Sequence, residues 1–449
     1  MDTARQRQQV AAQACQLADL RRCRCFAVLA EPWRLDAKPG PLLASLPRPR
    51  HLFWQGARWL VIQGAAGRLQ VSGPGRATRL AAAFAKLGER CCCAGDFPRG
   101  LPLATLAFSF EDQSPGPGAW GAQLPGAEAI LPARAWWREG RRGWRISCCA
   151  VDPGENAQTV AARLAAEPQP EMVTDAGEHP WRNLSPEPFT DLVREAVSLV
   201  HHGALRKVVL ARAVDMQLAR VPEPSQLLAA LGRFADRSTT VYWYDLPGQA
   251  SFVGATPETL FSLEQGRLHT MALAGSRPRG RDAAQDRALA KELLSSTKER
   301  KEHNLVLEHL ARVLEGRVGE LHIPPSPALR RLGNVQHLQT DLEADLQASD
   351  PFDLLAQLHP TPAVCGLPCT LAADHIRRRE GLQRGLYSGV LGWLTPQHCH
   401  FIVPLRGGIL HQRRARLFAG AGIVESSDPE AEERETETKL GLMRQVLSP

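Results

Sequence analysis

A lysine stands near the head of an apolar run, Leu205-Arg206-Lys207-Val208-Val209-Leu210-Ala211-Arg212, and this constrains the fold more than any other feature. The run reads as a buried strand. An ammonium is costly to bury there, so burial is expected to lower its pKa and to free a neutral amine as a base. About fifty residues on, Gly254-Ala255-Thr256-Pro257-Glu258 places a carboxylate just after a tight turn. One base and one acid on sheet edges suit a reaction that adds water at one carbon and expels hydroxide from another. The plainer alternative is a snorkelling strand-end lysine and an unrelated surface glutamate.

The chain around this pair is a mixture of helices and antiparallel strands. Phe189, Leu192, Val193, Ala196, Val197 and Val200 recur at helical spacing, and Gly203 stops that helix. A helix is predicted over 225–235. Strands are predicted over 240–243, 251–253, 259–263 and 268–272, then one long helix over 282–315. Strands near 386–391, 401–404 and 416–419 precede a closing helix over 429–447. No GxGxxG stands between a strand and a helix, so a dinucleotide domain is not indicated. Residues 1–180 form a β-rich region with apolar runs at Trp59-Leu60-Val61-Ile62 and 103–108. Proline-containing stretches at 165–170 and 183–188 read as a linker to a second region, 185–449.

Composition removes several classes. The 449 residues contain no apolar run of eighteen or more, so no membrane-spanning helix is expected. The net charge of +7 is scattered, without a basic stripe, so nucleic acid is not an expected partner, whereas an anionic small molecule is. The 11 cysteines are odd in number and partly adjacent, as in Cys91-Cys92-Cys93, which points to a reducing, cytoplasmic setting. Cys365, Cys369, His398, Cys399 and His400 lack the second half of a zinc motif.

Three groups of residues carry chemistry. On the closing helix Glu432 and Glu435 are three apart and share a face, with Lys439 one turn on. That pattern is either a solvated acidic face or, with Glu302 from the long helix, an oxygen-rich magnesium site. Glycines at Leu273-Ala274-Gly275-Ser276 and Gly420-Ala421-Gly422 let backbone N–H groups approach an anion. Arg406, at the end of an apolar strand, is placed to clamp a carboxylate.

Taken in order, these segments resemble the chorismate-utilising enzymes: isochorismate synthase, salicylate synthase, and the large subunits of anthranilate and aminodeoxychorismate synthases. The likeness rests on Lys207–Arg212, Gly254–Glu258, Leu273–Arg279, Val335–Leu338, His359–Gly366, Tyr387–Gly392, Gly420–Val424 and Glu432–Lys439. It spans about residues 185–449. Residues 102–140, with Phe108-Ser109-Phe110, Trp120 and Leu131-Pro132, are more loosely similar to quinone-pathway isochorismate synthases. Anthranilate enzymes of the family usually carry glutamine where Lys207 stands. Aminodeoxychorismate synthases often carry a nucleophilic lysine where Ala274 stands.

The resemblance implies an α+β chorismate-binding fold, like the anthranilate synthase large subunit, with two β-sheet layers, outer helices, and residues 1–180 packed in the same body. It implies Lys207 as base, Glu258 as acid, and Mg2+ held by Glu302, Glu432 and Glu435. It implies substrate contacts from Gly275, Ser276, His337, Thr361, Tyr387, Arg406, Gly420, Ala421, Gly422 and Lys439. The implied activity is Mg-dependent conversion of chorismate to isochorismate for menaquinone or phylloquinone synthesis, by a monomer or homodimer without a glutaminase subunit. Salicylate synthase, an aminating anthranilate-type enzyme and a silent binding protein of the same fold are the alternatives.

Overall fold

The protein is described by a computed structural model covering residues 3–34, 38–112, 125–167, 187–346 and 350–448. Trp120 and residues 168–186 of the expected linker lie outside the described residues.

The strands make two layers that share one long strand, Ala127–Glu139. The first layer runs from that strand through Arg58–Val71, Arg50–Gln55, Thr240–Asp245, Ser251–Thr256, Gly407–His411, Arg414–Ile423 and Lys207–Gln217 to the short Gly366–Leu367. The second runs through Ala104–Phe108, Val390–Leu394, His398–Ile402, Thr259–Glu264, Arg267–Pro278 and Val335–Asp345 to Ala328–Arg331. All these pairings are antiparallel. The cleft that concerns function opens between Lys207–Gln217 and Arg414–Ile423 in one layer and Arg267–Pro278 and Val335–Asp345 in the other. Strands from the first 165 residues join both layers, since Arg50–Gln55 pairs with Thr240–Asp245 and Ala104–Phe108 with Val390–Leu394.

Alternation along the strands explains which side chains reach the cleft. Lys207 and Val209 share one face of their strand. Val208 and Leu210 point the other way, into an apolar cluster with Leu192, Val193 and Ala196 of the Phe189–His201 helix. The Arg267–Pro278 strand carries a bulge between Ala274 and Ser276, and Gly275 sits there at φ +76°. The bulge turns Gly275 and Ser276 toward the cleft at a conformation that suits glycine.

Two predicted elements differ from the structure. The single helix over 282–315 is two helices, Ala283–Ser295 and Thr297–Leu314, divided at Ser296, whose ψ of 117° leaves the helical region. Its hydroxyl accepts the amide of Glu299 and caps the second helix. A serine that bonds the backbone locally competes with helix continuation, which apolar periodicity does not register. The new start sets Glu299, Glu302 and His303 on one face. The strand predicted at 386–391 begins only at Val390; the preceding turn, with Ser388 at φ +60°, presents Tyr387 to the cleft. The closing helix is Pro429–Leu447, started by Asp428 accepting the amide of Ala431 at 2.8 Å.

Behind the cleft lies a buried ion pair that sequence reasoning did not single out. Arg384 is 1% exposed and binds Glu380 in the fully buried state. Arg384 also donates to the carbonyls of Val364 and Val209, at 2.8 and 2.7 Å, and Glu380 accepts the amide of Ala211 at 2.8 Å. The pair thus holds the Lys207 strand against the 361–366 turn. Removing one partner leaves the other charge buried alone, so Arg384→Met is expected to cost about 3–5 kcal/mol in a urea unfolding measurement. A loss under about 1 kcal/mol would show that this bracing is unimportant.

Candidate active site

The cleft holds about 650 Å³ of empty space including its mouth. Glu258, Gly275, Ser276, Glu302, His337, Tyr387, Arg406, Gly420, Gly422 and Lys439 line it, so ten of the residues singled out in the sequence share one cavity.

Lys207 is not among the lining residues; it lies beneath the cavity, beside Gly422 and Glu302. Its side chain is fully buried and Nζ lies 2.9 Å from Oε1 of Glu302. The approach is not aligned as a hydrogen bond, and Nζ has no hydrogen-bond partner. The lysine expected to be buried is buried, and it faces Glu302 as an ion pair. Glycine at 422 leaves room for the pair as it stands: a Cβ there would sit 2.2 Å from Oε1 of Glu302 and 2.8 Å from Cε of Lys207.

Glu258 is 5% exposed. Burial pushes its carboxyl up to about 7, against the opposing pull of Lys207, Lys439 and Arg406. It is thus an acid that still holds its proton near neutrality while facing a lysine.

Arg406 is held in place by His337. Nη2 donates to Nε2 of His337 at 2.9 Å, and Nδ1 of His337 lies 3.1 Å from both the Gly275 carbonyl and the Ser276 hydroxyl. Burial, then Arg406 and Lys439, hold His337 well below its usual range, so the ring is neutral and free to accept. Burial also lowers Arg406 to about 10. Its Nη1 is buried with no partner. An unpaired guanidinium donor beside the cleft is a ready carboxylate contact, since leaving it unmet is costly. Tyr387 stacks on Phe418 at 5.2 Å between ring centres, and its hydroxyl lies close to Gly420.

The acids expected to hold a metal each carry a cation here. Glu302 pairs with Lys207, Glu432 with Lys298 at 2.5 Å, and Glu435 with Lys439 at 2.6 Å. Lys439 also donates to the Gly420 carbonyl at 2.8 Å. Burial and then Glu435 raise Glu432. Burial pushes Glu435 up, but Lys439, with Lys298 and His337, holds it below its usual value. Among the described residues no three acidic, His or Cys side chains already converge as a ligand set. The donor chemistry nonetheless suits a hard cation: Glu299, Glu302, Glu432 and Glu435 are oxygen donors within one another's field, and Glu299 is raised by burial and then by Glu302.

Two expected substrate contacts do not line the cavity. Ala421 lies between two cleft-facing glycines and points instead into the cluster with Val208 and Leu210, as strand alternation requires. Thr361 is 4% exposed, and its hydroxyl and carbonyl accept the amides of Ala363, Val364 and Cys365. It shapes the turn that brings Ala363 and Val364 to the wall. Lys298 and Glu299 were not singled out in the sequence, although Glu299 is one turn before Glu302 and that spacing carried the signal. Glu299 is 1% exposed and accepts the Ser276 amide at 3.0 Å and the Arg277 guanidinium at 2.6 Å.

A two-layer body with a buried lysine, a glutamate raised to about 7 and an arginine with one unmet donor about one cleft suits an enzyme for a small polyanion. Residues 36–448 match the chorismate binding enzymes, and the chain belongs to that family. It is 38% identical over 382 residues to the salicylate biosynthesis isochorismate synthase of Pseudomonas aeruginosa, covering 81% of this chain and 79% of that one. It is 29% identical to the isochorismate synthase MenF of Escherichia coli, over 92% and 95% of the two chains. The solved structure of the menaquinone-specific enzyme from Escherichia coli is similar with a TM-score of 0.74 at 26% identity, covering 94% of this chain and 95% of that one. Anthranilate synthase component I from Streptococcus pneumoniae shares the fold, with a TM-score of 0.61 at 18% identity over 92% and 93% of the chains. No helix among the described residues is long and apolar enough to cross a membrane.

Gly422→Ala is expected to displace Glu302 from Lys207 and to destabilise the protein by about 1–3 kcal/mol through overpacking. Unfolding of the variant in urea checks the loss. An unchanged midpoint would mean that the pair adjusts freely and that the glycine is not required.

Proposed function

We propose that this protein is an isochorismate synthase, exchanging the C4 hydroxyl of chorismate for a hydroxyl at C2. The observation that carries the reading is a cavity-lining carboxylic acid, Glu258, that holds its proton to about pH 7 close to a buried lysine. The relatives named as isochorismate synthases, one matching over nine-tenths of both chains, support it.

In the proposed reaction Lys207, as the free amine, takes a proton from water while the water oxygen bonds to C2. The ring double bonds shift and the C4–O bond breaks. Glu258 gives its proton to the departing hydroxyl, which leaves as water. One hydroxyl replaces another, so the exchange is close to thermoneutral. Arg406 and Tyr387 hold the enolpyruvyl carboxylate, with the partnerless Nη1 supplying the contact. Gly275 and Ser276 line the side of the ring carboxylate. Lys439 steadies Glu435 and the Gly420 carbonyl.

Mg2+ is part of this proposal. Glu302 and Glu435 would hold it together with the ring carboxylate, with Glu432 acting directly or through water, and it would supply Lewis-acid polarisation of the substrate. Two protein carboxylates completed by substrate and water is a usual magnesium arrangement. It is consistent with a structure in which three protein acids do not already converge.

The product serves quinone synthesis in this reading, by the near full-length match to the Escherichia coli enzyme. The 38% match to an enzyme of salicylate biosynthesis favours salicylate as the alternative destination. A cytoplasmic location belongs to either.

Incubation with chorismate and Mg2+, followed by chromatography, is expected to yield isochorismate without pyruvate. Pyruvate release would instead identify a salicylate synthase. Lys207→Ala and Glu258→Gln are each expected to lower turnover by roughly 10²–10⁴-fold with the circular dichroism spectrum unchanged. An active Lys207→Ala enzyme would refute the base assignment. Because Glu258 must be protonated, kcat/KM is expected to be sustained below about pH 7 on its account and to fall tenfold per pH unit above it. A profile flat through pH 9 would remove Glu258 from the acid role.

A further inference from the structure

Among the lysines at the acidic cluster, Lys207 and Lys439 have roles in the proposed chemistry. Lys298 has none, yet it is the best placed to neutralise the cluster. It stands in the first turn of the Thr297–Leu314 helix and reaches across to the closing helix. Its ammonium lies 2.5 Å from Oε1 of Glu432 and 4.0 Å from Oε1 of Glu299. It also interacts electrostatically with Glu302 and Glu435. One ammonium therefore feels all four carboxylates. Glu432 is 1% exposed, so without a cation its charge would be stranded.

We propose that Lys298 is a built-in counter-ion, which neutralises the carboxylate cluster of the metal-free enzyme and gives way when a divalent cation enters. This rests on the magnesium reading above and extends it to a residue of this chain. The physical reason is competition. A dication and an ammonium cannot both sit against the same few oxygens without repelling each other, and the repulsion is strongest at short range in a partly buried site. The lysine stem is long and flexible, and its side chain is 23% exposed, so the head group has a route to water. The arrangement offsets the charge of the buried acids without metal, at some expense in metal affinity.

Calorimetric titration of the full-length protein with MgCl2, without substrate, tests this directly. Lys298→Met and Lys298→Gln remove the charge, and Lys298→Arg keeps it. The neutral variants are expected to bind Mg2+ on the order of tenfold more tightly than the wild type, and the arginine variant no more tightly. In EDTA the neutral variants are expected to melt below the wild type, and saturating Mg2+ is expected to close that gap. Equal or weaker Mg2+ binding by the neutral variants, or a melting gap that Mg2+ leaves unchanged, overturns the counter-ion role. That outcome leaves the magnesium reading standing if the wild type binds the ion. A wild type and variants that all fail to bind Mg2+, in titration and in melting, overturn both.

Discussion

The site is organised around one contact, the buried ion pair between Lys207 on a strand and Glu302 on the facing helix. It ties the two sides of the cleft by their charges. It needs a residue without a side chain at position 422, because any Cβ would occupy the space of the carboxylate. It also needs the helix to restart at Ser296, which sets the face that Glu302 and Glu299 share. A serine, a glycine and a lysine from three distant segments thus act as one device.

Around that contact the protein assigns opposite protonation states to groups a short distance apart. Glu258, buried and without an ion-pair partner among the described residues, keeps its proton to about pH 7. Glu435, paired at 2.6 Å with Lys439, gives its proton up readily. The chemical type is the same and the neighbours differ, which is how one cavity presents both an acid and anionic donors. His337 shows the same logic for imidazole. Buried beside a guanidinium, it stays neutral and serves as an acceptor that aims Arg406.

Much of this was legible along the chain. The alternation after Lys207, the turn before Glu258 and the acids on the closing helix each have local causes, and the elements that carry them formed where the pattern placed them. The closing helix starts at Pro429 because Asp428 caps it, a signal within four residues. The Ser296 break was harder to see, because local hydrogen bonding overrode an unbroken helical composition. The side chain of Ala421 packs away from the cleft, because a strand must send its middle residue to the opposite face from Gly420 and Gly422. The Glu380–Arg384 brace was invisible: an arginine in a polar stretch reads as loop until Val209, Val364 and Ala211 are seen beside it.

By itself the sequence determined the inventory: a lysine in an apolar strand, a glutamate after a turn, acids spaced one helical turn apart, glycines where backbone must approach an anion, and an order of motifs that marks the family. These follow from short-range rules of periodicity, capping and turn chemistry. Only the tertiary structure decided the pairing: which lysine meets which carboxylate, which glutamate is left to keep its proton, and which arginine donor remains unmet. The reason is that a charge's state is set by all the groups within a few ångströms of it, and those groups come from segments that adjoin only after the two sheets have closed on each other.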